Sequence, residues 1–270
     1  ARDLRDHILC DRNHPSVMIW SIGNEVYEQG KEAGIDMARE LAGIVRDLDT
    51  TRPITSGNNS PGPGNYLVKS RAMDLVGFNY HHQNFEAFHD SFPGEKFIAT
   101  ETNSALATRG SYDMPSDEVR VWPYRWDKPF YDGNPGNTCS AYDNCRTPWG
   151  STHEDTWKLV KNHDFMSGMF IWTGFDYLGE PTPYQWPSRS SYFGLVDLAG
   201  FPKDAYYFYK SEWSADTVLH VFPHWNWGKG DVVDIWAYYN QADSVELFVN
   251  GKSQGAKAKP EGKFHVWWRV

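Results

Sequence analysis

Residues 17–25 read Val-Met-Ile-Trp-Ser-Ile-Gly-Asn-Glu, so a continuous apolar run ends in two polar side chains, Asn24 and Glu25. An apolar run of this length without alternation is typical of a strand that is buried on both faces of a parallel sheet. The turn signal Asn-His-Pro at residues 13–15 marks where the run begins. We therefore predict a buried parallel strand that carries Asn24 and Glu25 at its carboxyl end.

The strand pattern recurs four more times along the chain, at residues 52–57, 74–80, 96–100 and 168–175. Helices are expected between and around these strands, at residues 2–12, 33–48, 67–72, 85–91, 154–163 and 206–213. Strands that alternate with helices predict a parallel α/β fold, which a barrel and a doubly wound sheet both satisfy. The chain has no Gly-x-Gly-x-x-Gly phosphate loop, which argues against a dinucleotide-binding fold.

A different pattern begins after residue 213. Short strands are expected at residues 218–221, 232–239 and 244–249, and Asn250-Gly251 is a hairpin-turn dipeptide. This pattern predicts the start of an all-β sandwich. We therefore expect an α/β domain over residues 1–214 and the N-terminal portion of a β-sandwich domain over residues 215–270.

The composition excludes some classes of function. The net charge of −9 and the absence of a basic stripe argue against binding to nucleic acid. The chain contains no run of 18 apolar residues, so no membrane span is expected. Aromatic residues make up 16% of the chain, including 13 Trp, an excess that either fills the core or stacks on sugar rings.

The three cysteines do not have the spacing of a metal site. Cys139 and Cys145 lie in one loop and could form a bridge in an oxidising compartment. We expect Cys10 to be a free, buried thiol. We expect no bound metal ion and no cofactor in this chain.

Two carboxylates occupy the carboxyl ends of predicted strands. Glu25 follows the first strand, and Glu101 follows the strand at 96–100. In a barrel, catalytic groups lie where strands meet their C-terminal loops, and a pair of carboxylates is the minimum that glycoside hydrolysis requires. The alternative is that each glutamate caps a helix or pairs with an arginine.

Four motifs resemble glycoside hydrolase family 2, and they cover nearly the whole chain. Residues 11–25 are similar to the acid/base signature of that family. Residues 78–81 (Phe-Asn-Tyr-His), 99–102 (Ala-Thr-Glu-Thr) and 170–177 (Phe-Ile-Trp-Thr-Gly-Phe-Asp-Tyr) follow in the family's order. The resemblance implies the C-terminal part of a (β/α)8 TIM barrel, with strands four to eight, followed by a β-sandwich. It also implies a retaining hydrolase of bacterial type that cleaves terminal β-galactosides.

The resemblance assigns roles to individual residues. Glu25 would protonate the leaving oxygen and then activate water, and Glu101 would attack the anomeric carbon. Asn24 would bind the sugar 2-hydroxyl and Tyr80 would donate a hydrogen bond to Glu101. Trp172 would lie under the sugar, although each of the last three residues could instead be structural.

Three weaker candidates for substrate binding are His81, Asp176 and Arg189. His81 could reach a sugar hydroxyl or be a structural histidine, and Asp176 and Arg189 could bind hydroxyls or form ion pairs. A long, aromatic-rich segment follows Glu101 over residues 102–150. Its aromatic side chains could line leaving-group subsites or form a local core: Trp122, Tyr124, Trp126 and Trp149.

Substrate specificity has alternatives. Family members that cleave glucuronides carry an Asn-x-Lys pair after the last strand, whereas residues 187–192 here read Pro-Ser-Arg-Ser-Ser-Tyr, which favours β-galactosides over glucuronides. β-Mannosides fit the loops less well. A different class of function is a non-catalytic, sugar-binding fragment, since the first barrel strands do not lie in this chain. The expected partners are a β-linked glycoside or oligosaccharide and the N-terminal half of the same enzyme. A homo-oligomer and a periplasmic or secreted location are compatible with the resemblance.

Overall fold

The computed structural model describes residues 1–60 and 62–270. Backbone proximity divides the chain into two units, described here in turn: residues 1–102 with 159–171, and residues 103–158 with 172–270. Over the described residues, no helix combines the length and the apolar character that a membrane crossing needs.

The elements alternate between helix and strand in the first two-thirds of the chain, and only short strands follow the last helix. The helices are α1 (Arg2–Asp11), α2 (Gly34–Leu48), α3 (Tyr66–Lys69), α4 (Phe85–Ser91), α5 (His153–Asn162) and α6 (Asp204–Trp213). The strands are β1 (Trp20–Asn24), β2 (Ile54–Asn58), β3 (Val76–Asn79), β4 (Phe97–Asn103), β5 (Arg120–Val121), β6 (Cys145–Arg146), β7 (Met166–Trp172), β8 (Leu219–Phe222), β9 (Asp234–Tyr239), β10 (Val245–Val249), β11 (Lys252–Lys257) and β12 (His265–Arg269).

A five-stranded sheet with the order β1-β2-β3-β4-β7 forms the centre of the first unit. β1 pairs with β2, β2 with β3 and β3 with β4, each in parallel. The five strands are those that the sequence predicts, within a few residues at each end. Because the strands run parallel, the carboxyl ends of β1 to β4 lie at the same edge of the sheet.

The prediction that the first strand is buried on both faces is wrong. β2 and β3 are buried along their whole length, whereas Trp20 is the one buried residue of β1. Within the described residues β1 pairs with β2 alone, so the part of the sheet present here covers only one side of the strand.

The start of β1 is held by a carboxylate just beyond the end of α2. Asp49 accepts a hydrogen bond from the Trp20 indole at 2.9 Å and pairs with Arg52 at 2.7 Å. The apolar face of α2, including Ala38 and Val45, packs in the same core as Trp20. These contacts place β1 beside β2, and therefore they place the polar residues at its end.

The second unit contains the long segment after β4. Its apolar side chains form a cluster of their own, in which the buried members are Leu106, Trp122, Phe130, Cys139, Cys145, Tyr184 and Phe193. Cys139 and Cys145 are free, buried thiols, so a bridge between them stays a prediction for an oxidising compartment. Cys10, in the first unit, is exposed rather than buried as predicted, because it lies on the outer face of α1.

The second unit also contains the short strands at the end of the chain. β8, β9 and β12 form an antiparallel sheet in the order β12-β9-β8, and β10 and β11 form a hairpin. Asn250 and Gly251 make its turn, with φ of 50° and 76°, as the dipeptide predicts. The sequence did not indicate β11 or β12.

Candidate active site

Backbone pairing brings the predicted polar residues of the first unit to one edge of the sheet. Asn24 is in register with Gly57, and Asn79 is in register with Glu101. The Glu25 amide donates to the Gly57 carbonyl at 2.8 Å, and the Tyr80 amide donates to the Glu101 carbonyl at 2.7 Å. Glu25 therefore comes directly after β1, and Glu101 is the last residue of β4 that pairs with β3. Both residues lie at the same edge of the sheet.

A buried asparagine connects these residues. Asn79 is 0% exposed, and its Nδ2 donates to Asn24 Oδ1 at 2.8 Å and to Glu25 Oε1 at 3.0 Å. Its Oδ1 accepts a hydrogen bond from Thr100 Oγ1 at 2.7 Å. Asn79 is also among the groups that lower the pKa of Glu101, and the charge of Glu25 raises the same pKa. The two carboxylates therefore lie close enough to each other to interact, with Asn79 beside both of them.

The Asn79 side chain can reach across the sheet to β1 because a residue of β2 between them is glycine. β2 lies between β1 and β3, and its residue at this level is Gly57. A Cβ atom on Gly57 would lie 2.3 Å from Asn24 Oδ1 and 2.8 Å from Asn79 Oδ1, which no real contact allows. Glycine at this position therefore lets side chains from β1 and β3 meet over β2.

The surroundings of Glu101 act on its acidity in opposite directions. Burial raises the pKa of Glu101 most, and the nearby negative charge of Glu25 raises it further. Hydrogen bonds from Tyr80, Asn24 and Asn79 to the carboxylate lower the pKa, with a net result above the usual value. A carboxylate that receives three hydrogen bonds is fixed in one orientation, which suits a nucleophile.

Three residues at these strand ends have left-handed backbone conformations. The φ angles of Glu25, Tyr80 and His81 are 49°, 54° and 50°. This region is unfavourable for residues with a Cβ, and residues held in it occur in turns and are enriched at active sites. His81 follows Tyr80 directly and is half-buried.

Trp172 belongs to the second unit. It is partly buried against the cluster of that unit and contacts Tyr177 edge to face, with ring centroids 6.0 Å apart. The aromatic residues of the long segment divide between two environments. Trp122 is buried in the same cluster, whereas Trp126 is 78% exposed and Tyr124 is 62% exposed. The segment therefore has a core and also offers free aromatic faces.

Asp176 and Arg189, also in the second unit, line one cavity of about 360 Å³. The Asp176 carboxylate forms an ion pair of 2.7 Å with the buried Lys203. Burial raises the pKa of Asp176, against the effect of Lys203. Arg189 is exposed and stacks on the ring of Trp186 at 4.7 Å. Of these side chains, Arg189 is the more accessible to a ligand.

Sequence reasoning did not single out Asn79, Thr100 or Gly57. Asn79 lies within the motif at 78–81, and the signal was an asparagine that ends an apolar strand beside Tyr80. Its partners could not be read from the sequence, because they are 54 and 55 residues away. Within the described part of the chain, no three His, Cys, Asp or Glu residues are grouped to hold a metal ion.

Comparison with known proteins is consistent with this geometry. Residues 2–179 match the family described as glycosyl hydrolases family 2, TIM barrel domain. The chain belongs to glycosyl hydrolase family 2. The sheet of the first unit is accordingly part of the TIM barrel domain of that family, and residues 230–270 match a second family that is described as a domain of unknown function.

Three relatives illustrate the position of the chain within family 2. β-Galactosidase BoGH2A of Bacteroides ovatus is 53% identical over 300 residues, covering 100% of this chain and 35% of that protein. A β-glucuronidase of Bacteroides fragilis is 26% identical over 267 residues, covering 96% of this chain and 35% of that protein. The crystal structure of a β-glycosidase from Bacteroides vulgatus has a TM-score of 0.81 at 31% identity, covering 100% of this chain and 35% of that one. The chain thus spans about a third of the length of these relatives.

Proposed function

We propose that this chain carries the catalytic carboxylates of a retaining β-galactosidase, with Glu25 as the general acid/base and Glu101 as the nucleophile. The observation that supports the proposal most strongly is the interaction between the two carboxylates: the charge of Glu25 raises the pKa of Glu101, and Asn79 donates to Glu25 Oε1 at 3.0 Å and lowers the pKa of Glu101. A retaining mechanism needs carboxyl groups about 5–5.5 Å apart, and carboxylates that act on each other's charge in this way support such a separation.

The reaction then has two steps. Protonated Glu25 gives its proton to the glycosidic oxygen while a Glu101 oxygen attacks the anomeric carbon, so the bond to the leaving group breaks and a covalent glycosyl-enzyme forms. Glu25, now ionised, removes a proton from water, which attacks the same carbon and releases Glu101. Hydrogen bonds to Glu101 lower its pKa against the effect of burial, and so they favour the ionised form that the first step needs.

Substrate contacts are proposed for the remaining candidates. Asn24 would donate to the sugar 2-hydroxyl, and Tyr80 would orient Glu101. Trp172 would stack under the ring. Further contacts to hydroxyls would come from His81, Asp176 and Arg189. The exposed state of Arg189 supports such a role more directly than the buried ion pair of Asp176 does.

The choice of a galactoside rests on relatives. The Bacteroides ovatus relative at 53% identity is named a β-galactosidase, whereas relatives named putative β-glucuronidase and β-glucuronidase are 35% and 26% identical. A β-glucuronidase is the second candidate, since Arg189 is an accessible cation that could bind a sugar carboxylate. A non-catalytic, sugar-binding fragment is the alternative in another class.

The domain limits are also proposals. We propose that residues 1–214 form strands four to eight of the barrel and that residues 215–270 begin a β-sandwich. The family matches at residues 2–179 and 230–270 support a boundary between them. The other barrel strands would then come from the N-terminal half of the same enzyme.

The test is a panel of chromogenic β-glycosides with the full-length protein and its Glu101→Ala and Glu25→Ala variants. We expect the β-galactoside to react fastest and each variant to lose at least about 1,000-fold in kcat. Azide should restore turnover of Glu101→Ala and give an α-galactosyl azide, because azide then attacks from the face that Glu101 used. Glu118→Ala, which changes an exposed carboxylate, is the control. Near-normal turnover of Glu101→Ala would contradict the assignment, and a faster glucuronide would favour the second candidate.

A further inference from the structure

The contacts of Asn79 form a directed chain of hydrogen bonds. Thr100 Oγ1 donates to Asn79 Oδ1 at 2.7 Å, so the carbonyl end of the amide is occupied. The NH2 end consequently faces Asn24 Oδ1 at 2.8 Å and Glu25 Oε1 at 3.0 Å. The opposite orientation would put three oxygen acceptors together at about 3 Å without a hydrogen between them, which is unfavourable.

The orientation of Asn79 determines that of Asn24. Because Asn24 Oδ1 accepts from Asn79, the NH2 group of Asn24 is the end left to donate elsewhere. Asn24 hydrogen-bonds the Glu101 carboxylate, which can only accept when ionised. Thr100 thus fixes the side-chain amide of Asn79, which in turn fixes the side-chain amide of Asn24, so that the NH2 group of Asn24 faces Glu101.

The same amide restricts the proton on Glu25. A carboxylic acid carries its proton on one oxygen, and an oxygen that accepts a hydrogen bond from an amide is the one without it. Since Glu25 Oε1 accepts from Asn79, protonated Glu25 carries its proton on Oε2.

We propose, on the basis of the function proposed above, that Asn79 is a positioning residue: held by Thr100, it directs the Asn24 amide to Glu101 and the Glu25 proton to Oε2. Asn79 itself is completely buried, so its effect passes through the side chains that it holds. The titratable groups that act on Glu101 from the neighbouring strands are Tyr80, after β3, and Glu25, after β1.

The experiment compares Asn79→Ala and Thr100→Val with two matched controls in the full-length protein. Asn58→Ala removes a buried amide of β2 whose Nδ2 donates to the backbone of Ser56 and Gly77. Thr102→Val removes a hydroxyl from β4 that donates to the Phe170 carbonyl. Both controls disturb packing in the same sheet and leave Asn79 in place to donate to Asn24 and Glu25.

The readouts are kcat/KM against pH and the carboxyl pKa values from NMR of glutamate-labelled protein. Asn79→Ala should lower kcat/KM by about 10- to 100-fold, because hydrogen bonds to charged groups are lost. It should also move the acidic limb of the profile, which reports Glu101, to higher pH by about half a unit to one unit, since Asn79 no longer lowers the pKa of Glu101. Thr100→Val should change the same quantities less, because it frees the amide without removing it.

The controls should lower activity without moving the acidic limb. If Asn79→Ala does not move the acidic limb, or if Asn58→Ala moves it equally, Asn79 is only a packing residue and the proposal is overturned. The NMR pKa of Glu101 keeps this result separate from the proposed function, because it rises in Asn79→Ala whether or not the protein cleaves the chosen glycoside.

Discussion

At the scale of single residues, the Tyr80 hydroxyl and the Glu101 carboxylate form a contact that opposes the effect of burial. Burial raises the pKa of Glu101, and the hydrogen bond from Tyr80 is the largest influence that lowers it. A nucleophile must be ionised, so activity should fall as the pH decreases through the pKa of Glu101. This contact therefore extends the active range of pH downward.

Replacing Tyr80 with Phe should move the acidic limb of kcat/KM to higher pH. The hydroxyl no longer stabilises the carboxylate, so its pKa rises by about one unit and the loss of activity is greatest on the acidic side. The measurement is a pH profile of kcat/KM with an aryl β-galactoside. Tyr27→Phe is the control, since Tyr27 is 75% exposed. An unmoved acidic limb in Tyr80→Phe would contradict the prediction.

Residues at strand ends could be predicted, whereas the residue between them could not. Glu25 and Glu101 are recognisable because each follows a strand-like apolar segment. Asn79 connects them only after three strands are in register, and nothing in its own neighbourhood specifies those partners.

At the scale of secondary-structure elements, β2 separates β1 from β3 and has no side chain at the level where their side chains meet. Neighbouring strands are about 4.8 Å apart, so side chains of β1 and β3 must cross roughly twice that distance to meet. Gly57 leaves the space above β2 open at the level where they do so. The sequence predicts a short strand that stops at Gly57, whereas β2 continues to Asn58 and Gly57 instead provides the open space between β1 and β3.

Gly57→Ala should lower kcat/KM by about 100-fold or more, because displacement of catalytic groups by 1 Å can cost that much. The added methyl group would lie 2.3 Å from Asn24 Oδ1 and force Asn24 away from Glu101. Gly43→Ala is the matched control, since Gly43 lies in α2 with nothing within 4 Å of an added Cβ. The control should keep full activity and raise the free energy of unfolding by about 0.5–1 kcal/mol. Equal activities in the two variants would contradict this account of β2.

At the scale of the whole molecule, the second unit joins the long segment after β4 to the terminal strands. Asp234 of β9 is 1% exposed and accepts hydrogen bonds from both the amide and the hydroxyl of Ser116. Arg269 of β12 donates to the same carboxylate at 2.7 Å and 2.9 Å. Burial raises the pKa of Asp234, but hydrogen bonds from Arg269 and Ser116 outweigh it and the pKa is lowered.

Asp234→Asn should reduce the free energy of unfolding by about 2–4 kcal/mol, because buried donors lose a charged acceptor. The direction in which the stabilisation by Asp234 changes with pH follows from the lowered pKa of this residue. The stabilisation by Asp234 is present above the unfolded pKa of about 3.9 and is lost as the pH falls through the folded pKa. Urea denaturation at several pH values measures both effects, with the exposed Asp243 changed to Asn as the control. A change of less than about 0.5 kcal/mol, which is usual for surface positions, would be the contrary result.

This connection within the second unit was not predictable from sequence. The partners Ser116 and Asp234 are 118 residues apart, and the aromatic and Pro-rich composition of the segment predicts only a loop. The five strands were predictable because each apolar run is local, and the order of β1 to β4 follows from the short connections between them. β7 lies beside β4 although the long segment separates the two strands in sequence.

The left-handed backbone at Glu25, Tyr80 and His81 implies a conflict between thermal stability and catalytic activity. Each such residue costs about 1–2 kcal/mol relative to glycine-like freedom, so a library selected only for resistance to heat should accumulate glycine or asparagine at these three positions. The most heat-resistant variants would then lack the side chains to which we assign catalysis and substrate binding. Engineering of this protein for thermal stability should therefore target other positions and keep these three residues unchanged.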